Sequence, residues 1–457
     1  MHNTLYRWQP AILAAAIAAA VSTTATAGGP TISAAVAQGP QSTGQMIVKL
    51  RAGAAEAAGA SLQAVAAQHG VSLAKLRTLA VGATVFKLGR PLPLAEARAL
   101  AQGLKAVDGV EYAEPDQILK ADFTPNDPLY ASLPQWHYNE PVGGIDLEAA
   151  WDTATGTGVV VAVLDTGYRP HADLVDNIIP GYDFIEDLTV ANDGDGRDAD
   201  AQDPGDWYKY LGVIPIDSSW HGTHTAGTVA AKTNNGIGLA GVAFNAKVMP
   251  VRVLGKGGGY TSDITDGIIW ASGGKVEGIP KTTTPARVMN MSFGGTGECS
   301  AALQAAINAA AKRGTLSVVS AGNDAAEAGT KNPANCANVI PVAATGRDGA
   351  RATYSNFGSI VRIAAPGGSG NEYVWSTLNT GKKTPVADAY AGYQGTSMAA
   401  PHVAGVAALI WSKNPSLSPK QVAKILITTA RPFPASCEGC GSGIVDANAA
   451  LAATPAP

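Results

Sequence analysis

Three residues in separate parts of the chain form a set that could carry out nucleophilic catalysis. They are Asp165, His221 and Ser397, in that order along 457 residues. A serine hydroxyl becomes a strong nucleophile when a histidine accepts its proton, and a carboxylate orients the histidine. Each residue alone has an ordinary explanation, because Asp at a strand end, His before a helix and Ser at a helix N-cap are all common. The prediction of a site therefore depends on the three local contexts taken together.

Each of these residues lies at the end of an element that would hold it in place. Asp165 follows the apolar run Val159–Leu164, so a strand would carry it to the carboxyl edge of a sheet, where α/β folds build their sites. His221 lies in a turn that leads into a small-residue helix, predicted over Thr225–Ala231. Ser397 is predicted at the N-terminus of a helix, where the positive dipole end favours a developing negative charge.

The second part of the chain predicts a large α/β domain. The helix after Ser397 continues apolar on all sides through Trp411 and is predicted to be buried, with Pro401 in its first turn, where proline is tolerated. Continuous apolar strands are typical of a parallel sheet with helices on both faces. The strand-length runs rich in Val, Ile and Met are Val159–Leu164, Lys247–Leu254, Arg287–Met291, Thr315–Val319 and Val339–Ala343.

A smaller domain is predicted over residues 45–119, and its alternation of elements is typical of a split β-α-β fold. The residues after it, 123–134, contain three prolines, which predicts a linker or a processed junction near residue 121. The expected elements are a strand at Gln45–Leu50, a helix at Glu56–Gln68, a strand at Ala83–Leu88, a helix at Leu94–Ala106 and an extended segment at Val110–Leu119.

The N-terminus has the parts of a secretory signal peptide. Arg7 precedes the aliphatic run Ala11–Val21, and the small residues Ala25-Thr26-Ala27 follow as a cleavage site. Residues 1–27 are therefore predicted to direct secretion, against the alternative of a short buried helix. Export to the extracellular side favours disulfides, which persist outside the cytosol.

The four cysteines allow three possible pairings. Cys437 and Cys440 are close enough in sequence to close a small loop, which leaves Cys299 to pair with Cys336. A redox-active Cys-x-x-Cys pair would normally open a helix after a strand, whereas this pair lies among Pro, Ser and Gly. Redox and metal-binding roles are the alternatives to a structural disulfide.

The charge composition excludes some classes of protein. Charged residues make up 15% of the chain and the net charge is -4, against a usual charged share of about 25%. This argues against a nucleic-acid-binding protein that relies on a strong positive field. The longest aliphatic run is about half the length needed to cross a bilayer, which excludes a polytopic membrane protein.

Four motifs between residues 160 and 411 occur in strand and helix contexts that agree with one another. They are Val163-Leu164-Asp165-Thr166-Gly167, His221-Gly222-Thr223-His224, Ser320-Ala321-Gly322-Asn323 and Gly395-Thr396-Ser397-Met398-Ala399-Ala400-Pro401-His402. Together they resemble the subtilisin (subtilase) family of secreted serine proteases. The resemblance implies a subtilisin-like three-layer α/β sandwich with a mostly parallel sheet in residues 122–457. It also implies that residues 28–121 are an inhibitory prodomain of the small α+β, ferredoxin-like type.

The resemblance implies a role for each motif residue. Ser397 would be the nucleophile, His221 the general base and then acid, and Asp165 the residue that orients His221. The side-chain amide of Asn323 and the N–H of Ser397 would stabilise the oxyanion. His224, one helical turn from His221, is interpreted as a packing or hydrogen-bonding residue. A zinc site is disfavoured, because the His-x-x-His spacing lacks the metalloprotease pattern.

Two glycine-containing segments match the substrate-flanking segments of the family. A protease that cuts unstructured chain holds it as an added strand, and glycines allow the close backbone approach; the alternative is that they only form turns. No charged residue is placed in the first specificity pocket, so a broad preference for apolar or aromatic side chains is expected. The segments contribute Leu254, Gly258, Gly259, Tyr260, Ser292, Phe293, Gly294 and Gly295.

Structural Ca²⁺ is expected at two places, against the alternative of solvated loops. By resemblance, one site would use the Asp173 carboxylate and a later loop. A separate loop packs six carboxylates into fourteen residues, and calcium takes about six to eight oxygen ligands. The first set is Asp173, Thr233, Asn235, Ile237 and Leu239, and the second is Asp193, Asp195, Asp198, Asp200, Asp203 and Asp206.

The sequence therefore predicts a secreted, monomeric serine endopeptidase that acts on proteins or peptides. It would be made as an autoprocessed zymogen inhibited by its own prodomain, and would bind neither nucleic acid nor, after signal removal, a membrane. A catalytically silent subtilase that acts as a binding protein is an alternative, but such a protein would be expected to lack one of the four motif residues. An α/β-hydrolase esterase would need a Gly-x-Ser-x-Gly elbow and the order Ser, acid, His, and the sequence has neither.

Overall fold

The computed structural model describes residues 42–117, 124–132 and 135–457. These residues divide between two compact units, one holding residues 42–117 and the other holding the rest. The predicted signal peptide, residues 1–27, and the junction near residue 121 lie outside the described residues. Among the described helices, none combines the length and the apolar character needed to span a bilayer.

The first unit is a four-stranded antiparallel sheet with two helices, whose order of elements is that of a ferredoxin-like fold. Its core is built from apolar residues such as Met46, Leu62 and Leu100. The sequence interpretation missed one strand, because only its first residue is buried and it shows no apolar alternation. The elements are β1 (Ser42–Leu50), α1 (Ala55–Gln68), β2 (Leu73–Thr78), β3 (Thr84–Pro93), α2 (Leu94–Lys105) and β4 (Val110–Pro115), with sheet order β2-β3-β1-β4.

The second unit is built on a seven-stranded sheet in which all neighbouring strands are parallel. The strands predicted from the five apolar runs are all present in it, with ends that differ by one or two residues. Its strands are β5 (Val160–Asp165), β6 (Tyr182–Asp183), β9 (Lys247–Arg252), β10 (Val288–Met291), β12 (Leu316–Ser320), β14 (Val339–Thr345) and β15 (Ile363–Pro366), in the order β15-β14-β12-β10-β5-β9-β6.

Short pairs of strands lie outside the main sheet, and helices surround it. The pairs are β7 (Tyr208–Tyr210) with β8 (Ile214–Ile216), β11 (Gly295–Thr296) with β13 (Lys331–Asn332), and β16 (Val374–Asn379) with β17 (Asp388–Tyr393). The helices are α3 (Pro128–Ser132), α4 (Trp136–Asn139), α5 (Glu148–Trp151), α6 (Leu188–Ala191), α7 (His221–Ala230), α8 (Thr261–Ala271), α9 (Ala301–Lys312), α10 (Thr396–Lys413), α11 (Pro419–Thr428) and α12 (Ala447–Ala453), with short 3₁₀ helices at Val175–Asn177 and Ala328–Thr330.

The sheet separates two apolar cores, which makes the unit a three-layer α/β sandwich. Successive side chains of a strand point to opposite faces, so Val161 and Val163 join helices α7 and α10 on one side. Ala162 and Leu164 join α8 and α9 on the other. Each strand is therefore apolar throughout, as predicted for a parallel sheet covered on both faces.

Two helix details differ from the sequence interpretation. Helix α7 begins at His221, four residues earlier than predicted, because Trp220 adopts a left-handed conformation (φ 49°) that ends the preceding loop. The sequence predicts Pro401 in the first turn of its helix, but Pro401 is the sixth residue of α10. The carbonyl four residues before it, that of Ser397, therefore lacks the N–H donor that residue 401 would otherwise supply.

Candidate active site

The sheet places four candidate segments side by side at one edge. Strands β12, β10, β5 and β9 are neighbours in that order and run parallel. Asp165 is the last residue of β5, and Ser292 directly follows β10. Asn323 and Leu254 come within three residues after the ends of β12 and β9. Because the carboxyl ends of parallel strands share one edge, residues distant in sequence meet there.

Asp165 and His221 form the central contact of this edge. The Nδ1 atom of His221 lies 2.7 Å and 2.9 Å from the two carboxylate oxygens of Asp165. Asp165 is fully buried, and its carboxylate also accepts from the Thr166 N–H at 2.8 Å and from the Thr225 hydroxyl at 3.3 Å. These donors hold the carboxylate in one orientation, so it can fix the position and the tautomer of the imidazole.

A glycine allows helix α7 to approach the strand end this closely. A Cβ atom at Gly222 would collide with the carbonyl oxygen of Gly167 and lie 3.1 Å from the Cβ of Asp165. The N–H of Gly222 donates to the Thr166 hydroxyl at 3.0 Å. The glycine after His221 thus lets the start of the helix dock directly on the turn that follows β5.

The charge environment makes His221 a stronger base than a free imidazole. Burial by itself lowers the pKa of His221, whereas the charge and the hydrogen bond of the Asp165 carboxylate raise it. The negative charges of Asp206 and Asp203 act in the same direction. The pKa of His221 is therefore raised above its usual value.

Ser397 is the second residue of α10, a helix whose residues 396–411 are all buried. Its hydroxyl donates to the carbonyl oxygen of Ser292 at 3.0 Å. Its N–H is among the first four of the helix, which have no intrahelical partner and carry the positive end of the helix dipole. The nucleophile candidate therefore lies where backbone donors favour a developing negative charge.

Asn323 is held beside Ser397 by one threonine. Its side-chain oxygen accepts from both the N–H and the hydroxyl of Thr396, each at 2.8 Å. The N–H of Gly322 donates to the same hydroxyl at 3.1 Å. Since both donors hold the oxygen of the Asn323 amide, its NH₂ group points away from Thr396 and remains a donor for another acceptor.

The two predicted substrate segments are largely exposed at the same edge. Gly258, Gly259 and Tyr260 are exposed, and Gly258 exchanges backbone hydrogen bonds with Gly255, so part of this segment is a tight turn. On the other side, Gly294 and Gly295 are exposed. Gly295 already pairs with Asn332 in the β11–β13 ladder.

The residues of the first predicted calcium site lie close together. The buried carboxylate of Asp173 accepts from the Asn235 side chain at 2.8 Å and from the Leu239 N–H at 2.9 Å. Thr233 and Ile237 belong to the same loop. Burial raises the pKa of Asp173 to about 7, and the nearby charge of Asp127 contributes. Two carboxylates, those of Asp173 and Asp127, thus lie near this loop, and Ca²⁺ takes carboxylate oxygens as ligands.

The six aspartates of the second predicted calcium site do not meet at one point. Asp193 shares the buried Arg252 guanidinium with Asp183. Asp198 and Asp200 each accept from a backbone N–H two residues further along the loop, and Asp195 is exposed on the same loop. Within residues 42–117, 124–132 and 135–457, no three His, Cys, Asp or Glu side chains are grouped to hold a metal. One calcium ion bound by all six carboxylates does not fit this arrangement.

Two members of that acidic loop instead hold the residue after Asp165 and the turn before His221. Asp203 accepts from the Thr166 hydroxyl at 2.6 Å. Asp206 accepts from the N–H of Ser219 at 2.6 Å and from its hydroxyl at 2.7 Å. Their carboxylates therefore help to position His221, a role that the sequence pattern did not indicate.

The remaining candidate residues, the four cysteines and His224, make structural contacts. The disulfides Cys299–Cys336 and Cys437–Cys440 are both present, with Cα separations of 5.2 Å and 5.5 Å. The Nε2 atom of His224 lies 3.1 Å from the Ala391 carbonyl oxygen, and its ring stacks on Tyr393. His224 thus has the packing and hydrogen-bonding contacts expected from its position.

Some residues that act on the candidate site through hydrogen bonds are not indicated by the sequence pattern. Thr396 lies inside the Gly395–His402 motif and Thr225 follows the His221–His224 motif, but the motifs by themselves assign neither of them a role. Asn290 is a fully buried amide in an otherwise apolar strand, and its side chain donates to the hydroxyl of Ser292 at 2.9 Å. A polar residue inside an apolar strand was the available signal, since buried polar groups are the informative exceptions.

Residues 156–443 match the model of the Subtilase family, Peptidase_S8. An extracellular protease of Xanthomonas campestris pv. campestris is 53% identical over 399 residues, which are 86% of this chain and 68% of that protein. An extracellular basic protease of Dichelobacter nodosus is 45% identical over 390 residues, 82% of this chain and 64% of that protein. This chain thus spans about two-thirds of the length of these relatives. A solved structure of a protease from Pseudoalteromonas arctica is 60% identical with a TM-score of 0.71, covering 73% of this chain and all of that one.

Proposed function

This chain belongs to the subtilase family of serine proteases, and on that premise we propose that it is an extracellular endopeptidase that uses Asp165, His221 and Ser397. The observation that carries the proposal is the contact of His221 Nδ1 with both carboxylate oxygens of Asp165, at 2.7 Å and 2.9 Å. That contact leaves Nε2 as the nitrogen that accepts a proton from the nucleophile.

The proposed reaction proceeds through an acyl-enzyme. The Ser397 hydroxyl attacks the scissile carbonyl carbon while its proton moves to His221 Nε2, and the carbonyl oxygen becomes an oxyanion that Asn323 Nδ2 and the Ser397 N–H stabilise. His221 then gives the proton to the leaving amine as the C–N bond breaks. A water molecule then attacks the acyl carbon while His221 takes its proton, and His221 returns that proton to Ser397 Oγ as the ester bond to Ser397 breaks. Asp165 stays ionised throughout and stabilises the protonated imidazole.

A fluorophosphonate probe tests this chemistry directly, because it reacts only with an activated serine. The mature wild-type protein should be labelled on Ser397 and should hydrolyse unstructured polypeptide, whereas Ser397→Ala should do neither. Peptide mapping of the labelled residue identifies the site. Wild-type protein that folds but is not labelled would favour the catalytically silent binding protein instead.

The substrate is proposed to be a polypeptide bound in extended form between Leu254–Tyr260 and Ser292–Gly295. Exposed glycines in both segments support this, because they allow a peptide backbone to approach closely. The specificity is proposed to be broad, with apolar or aromatic side chains preferred at the cleaved residue. Cleavage of a peptide library with randomised sequence measures this preference, and a strict requirement for a charged residue would contradict it.

Residues 28–121 are proposed to be a prodomain that assists folding, inhibits the enzyme and is removed by autocleavage near residue 121. The compact first unit and the Pro-rich stretch after it support this assignment. Purified full-length Ser397→Ala should remain uncut, while the wild-type chain should be cut at this junction. Cleavage of the pure Ser397→Ala chain at the same junction would show that processing is not autocatalytic.

Secretion and a monomeric state are part of the same proposal. The predicted signal peptide over residues 1–27 and the relatives named as extracellular proteases support secretion. N-terminal sequencing of protein recovered from the culture medium tests it, and light scattering measures the oligomeric state.

Calcium is proposed to bind at Asp173 and the 233–239 loop. Bound there, it would neutralise a buried carboxylate and restrict the motion of the loop. Chelation should then lower the Tm by about 5 °C relative to protein with free Ca²⁺ at about 100-fold its Kd. In Asp173→Asn the Tm should no longer respond to the chelator, whereas the exposed control Asp152→Asn should respond like wild type. A wild-type Tm that is unchanged by chelation removes the proposal.

A further inference from the structure

Pro401 leaves a buried carbonyl group at the catalytic end of helix α10. Proline has no N–H, so the carbonyl four residues earlier in a helix has no donor from that position. Pro401 is the sixth residue of α10, and the carbonyl affected is that of Ser397, the proposed nucleophile. A buried carbonyl without a donor costs free energy, so another group should satisfy it.

The side chain of Ser292 provides the missing donor. Its hydroxyl lies 2.8 Å from the Ser397 carbonyl oxygen, and the Ser397 hydroxyl donates in return to the Ser292 carbonyl oxygen at 3.0 Å. The two residues are 105 positions apart in sequence. Each therefore holds the other through a pair of hydrogen bonds that crosses from the end of β10 to the start of α10.

Asn290 fixes the direction of the Ser292 hydroxyl. A carbonyl oxygen only accepts, so the hydrogen of Ser292 Oγ must point at Ser397, and the remaining contact of Oγ must be as an acceptor. The Asn290 side-chain NH₂ group lies 2.9 Å from Oγ and supplies that donor. Asn290 is fully buried in β10, between β5 and β12 at the middle of the sheet. It is therefore a rigid anchor for the Ser292 hydroxyl.

We infer that Asn290 and Ser292 are positioning residues, which hold the peptide unit of Ser397 in place of the helical N–H that Pro401 lacks. This rests on the proposed function of Ser397 as nucleophile. Fixing that carbonyl orients the first turn of α10, and with it the hydroxyl and the N–H of Ser397. Displacement of a reacting group by about 1 Å costs about 100-fold in rate. The side chain of Ser292 thus has a role separate from the substrate contact predicted for its segment.

A double-mutant cycle tests whether the Ser292 hydroxyl replaces the N–H that Pro401 lacks. Ser292→Ala should lower kcat about 10- to 100-fold, with KM changed less than about threefold, because ground-state substrate contacts remain. Pro401→Ala introduces an N–H that can donate to the Ser397 carbonyl. The effect of Ser292→Ala on kcat should therefore shrink to less than about threefold in the Pro401→Ala background. Active sites are counted with a fluorophosphonate, so that kcat refers only to folded enzyme.

Ser317→Ala is the matched control. Ser317 is a buried serine in the neighbouring strand β12 whose hydroxyl has no partner among the described residues, and its replacement should leave kcat within about twofold of wild type. If Ser292→Ala does not fold, Asn290→Leu serves instead. It should lower kcat about 3- to 10-fold, and this effect should also shrink in the Pro401→Ala background.

The outcomes separate this inference from the proposed function. A kcat loss that is equally large in the wild-type and the Pro401→Ala backgrounds overturns the positioning role, as does a loss confined to KM. Wild-type kcat in Ser292→Ala also overturns it while leaving the protease intact. If wild-type protein is neither labelled nor active, the proposed function fails first, and that result is seen before any variant is made.

Discussion

The two sides of the proposed active site are held by different kinds of interaction. On the side of the base, a buried charge dominates: Asp165 contacts His221 through both oxygens and raises its pKa. On the side of the nucleophile, hydrogen bonds between neutral groups fix the positions of the residues: Thr396 holds Asn323, and Ser292 holds Ser397. The difference follows from what each side must do, since one must stabilise a cation and the other must present donors to an anion.

This comparison indicates how each side should respond to substitution. A buried charge acts over several ångströms and cannot be replaced by water, so its loss changes the protonation state of its partner. A neutral hydrogen bond acts only on the group that it touches, and its loss changes geometry. Substitutions on the base side should therefore alter pH dependence, and those on the nucleophile side should alter kcat at all pH values.

The largest effect is expected for Asp165→Asn. The asparagine amide would donate to His221 Nδ1, which forces the proton onto Nε2 and leaves no base for Ser397. We expect kcat to fall about 10⁴-fold near neutral pH with little change in KM. Steady-state kinetics checks this, with Asp152→Asn as an exposed control. A loss below about tenfold would show that the charge is not what fixes the tautomer.

The next effect is expected for Asn323→Ala, on the neutral side. Removing one oxyanion donor costs about 10² to 10³ in kcat, and the loss should be the same across the pH range. Asn323→Asp keeps the oxygen that Thr396 holds but replaces the donor with an acceptor, so it should lose at least as much. Activity close to wild type in Asn323→Asp would contradict the donor role.

A smaller effect is expected for Thr396→Val, which removes the hydroxyl that holds Asn323 but keeps the Thr396 N–H. One of the two donors at 2.8 Å remains, so we expect kcat to fall about tenfold. The combined variant with Asn323→Ala should lose no more than Asn323→Ala alone. Additive losses would show that Thr396 acts by some route other than Asn323.

The smallest effect is expected for Asp206→Asn, which tests the long range of charge on the base side. The Asp206 carboxylate contributes to the raised pKa of His221. Asparagine at this position can still accept from the Ser219 N–H, and its NH₂ group can donate to the Ser219 hydroxyl oxygen in place of the second carboxylate oxygen, so both contacts can be kept while the charge is removed. The pKa of His221 should fall, and the acidic limb of kcat/KM should move to lower pH by less than about one unit. Asp195→Asn, an exposed control on the same loop, should leave the acidic limb of kcat/KM unchanged. A shift of this limb to higher pH in Asp206→Asn would contradict the prediction.

The sequence predicted the parallel sheet well, because strands buried on both faces are apolar at every position and contrast with their surroundings. It was less successful with elements that lack such a contrast. Strand β2 shows one buried residue in six and was missed. The acidic loop shows why composition is a weak guide to a metal site: six aspartates indicated calcium, but Arg252, Thr166 and Ser219 take three of them.

What the sequence indicated by itself is the set of candidate reactive residues and the buried strands near them, since motifs and apolar runs are local properties of the chain. What only the tertiary structure decided is which groups complete each other's hydrogen bonds. Pro401, four residues away, cannot donate an N–H to the Ser397 carbonyl, and this carbonyl accepts instead from Ser292, 105 residues away. The missing N–H can be recognised from the position of Pro401 in the sequence, whereas the group that replaces it depends on how the strands and helices pack.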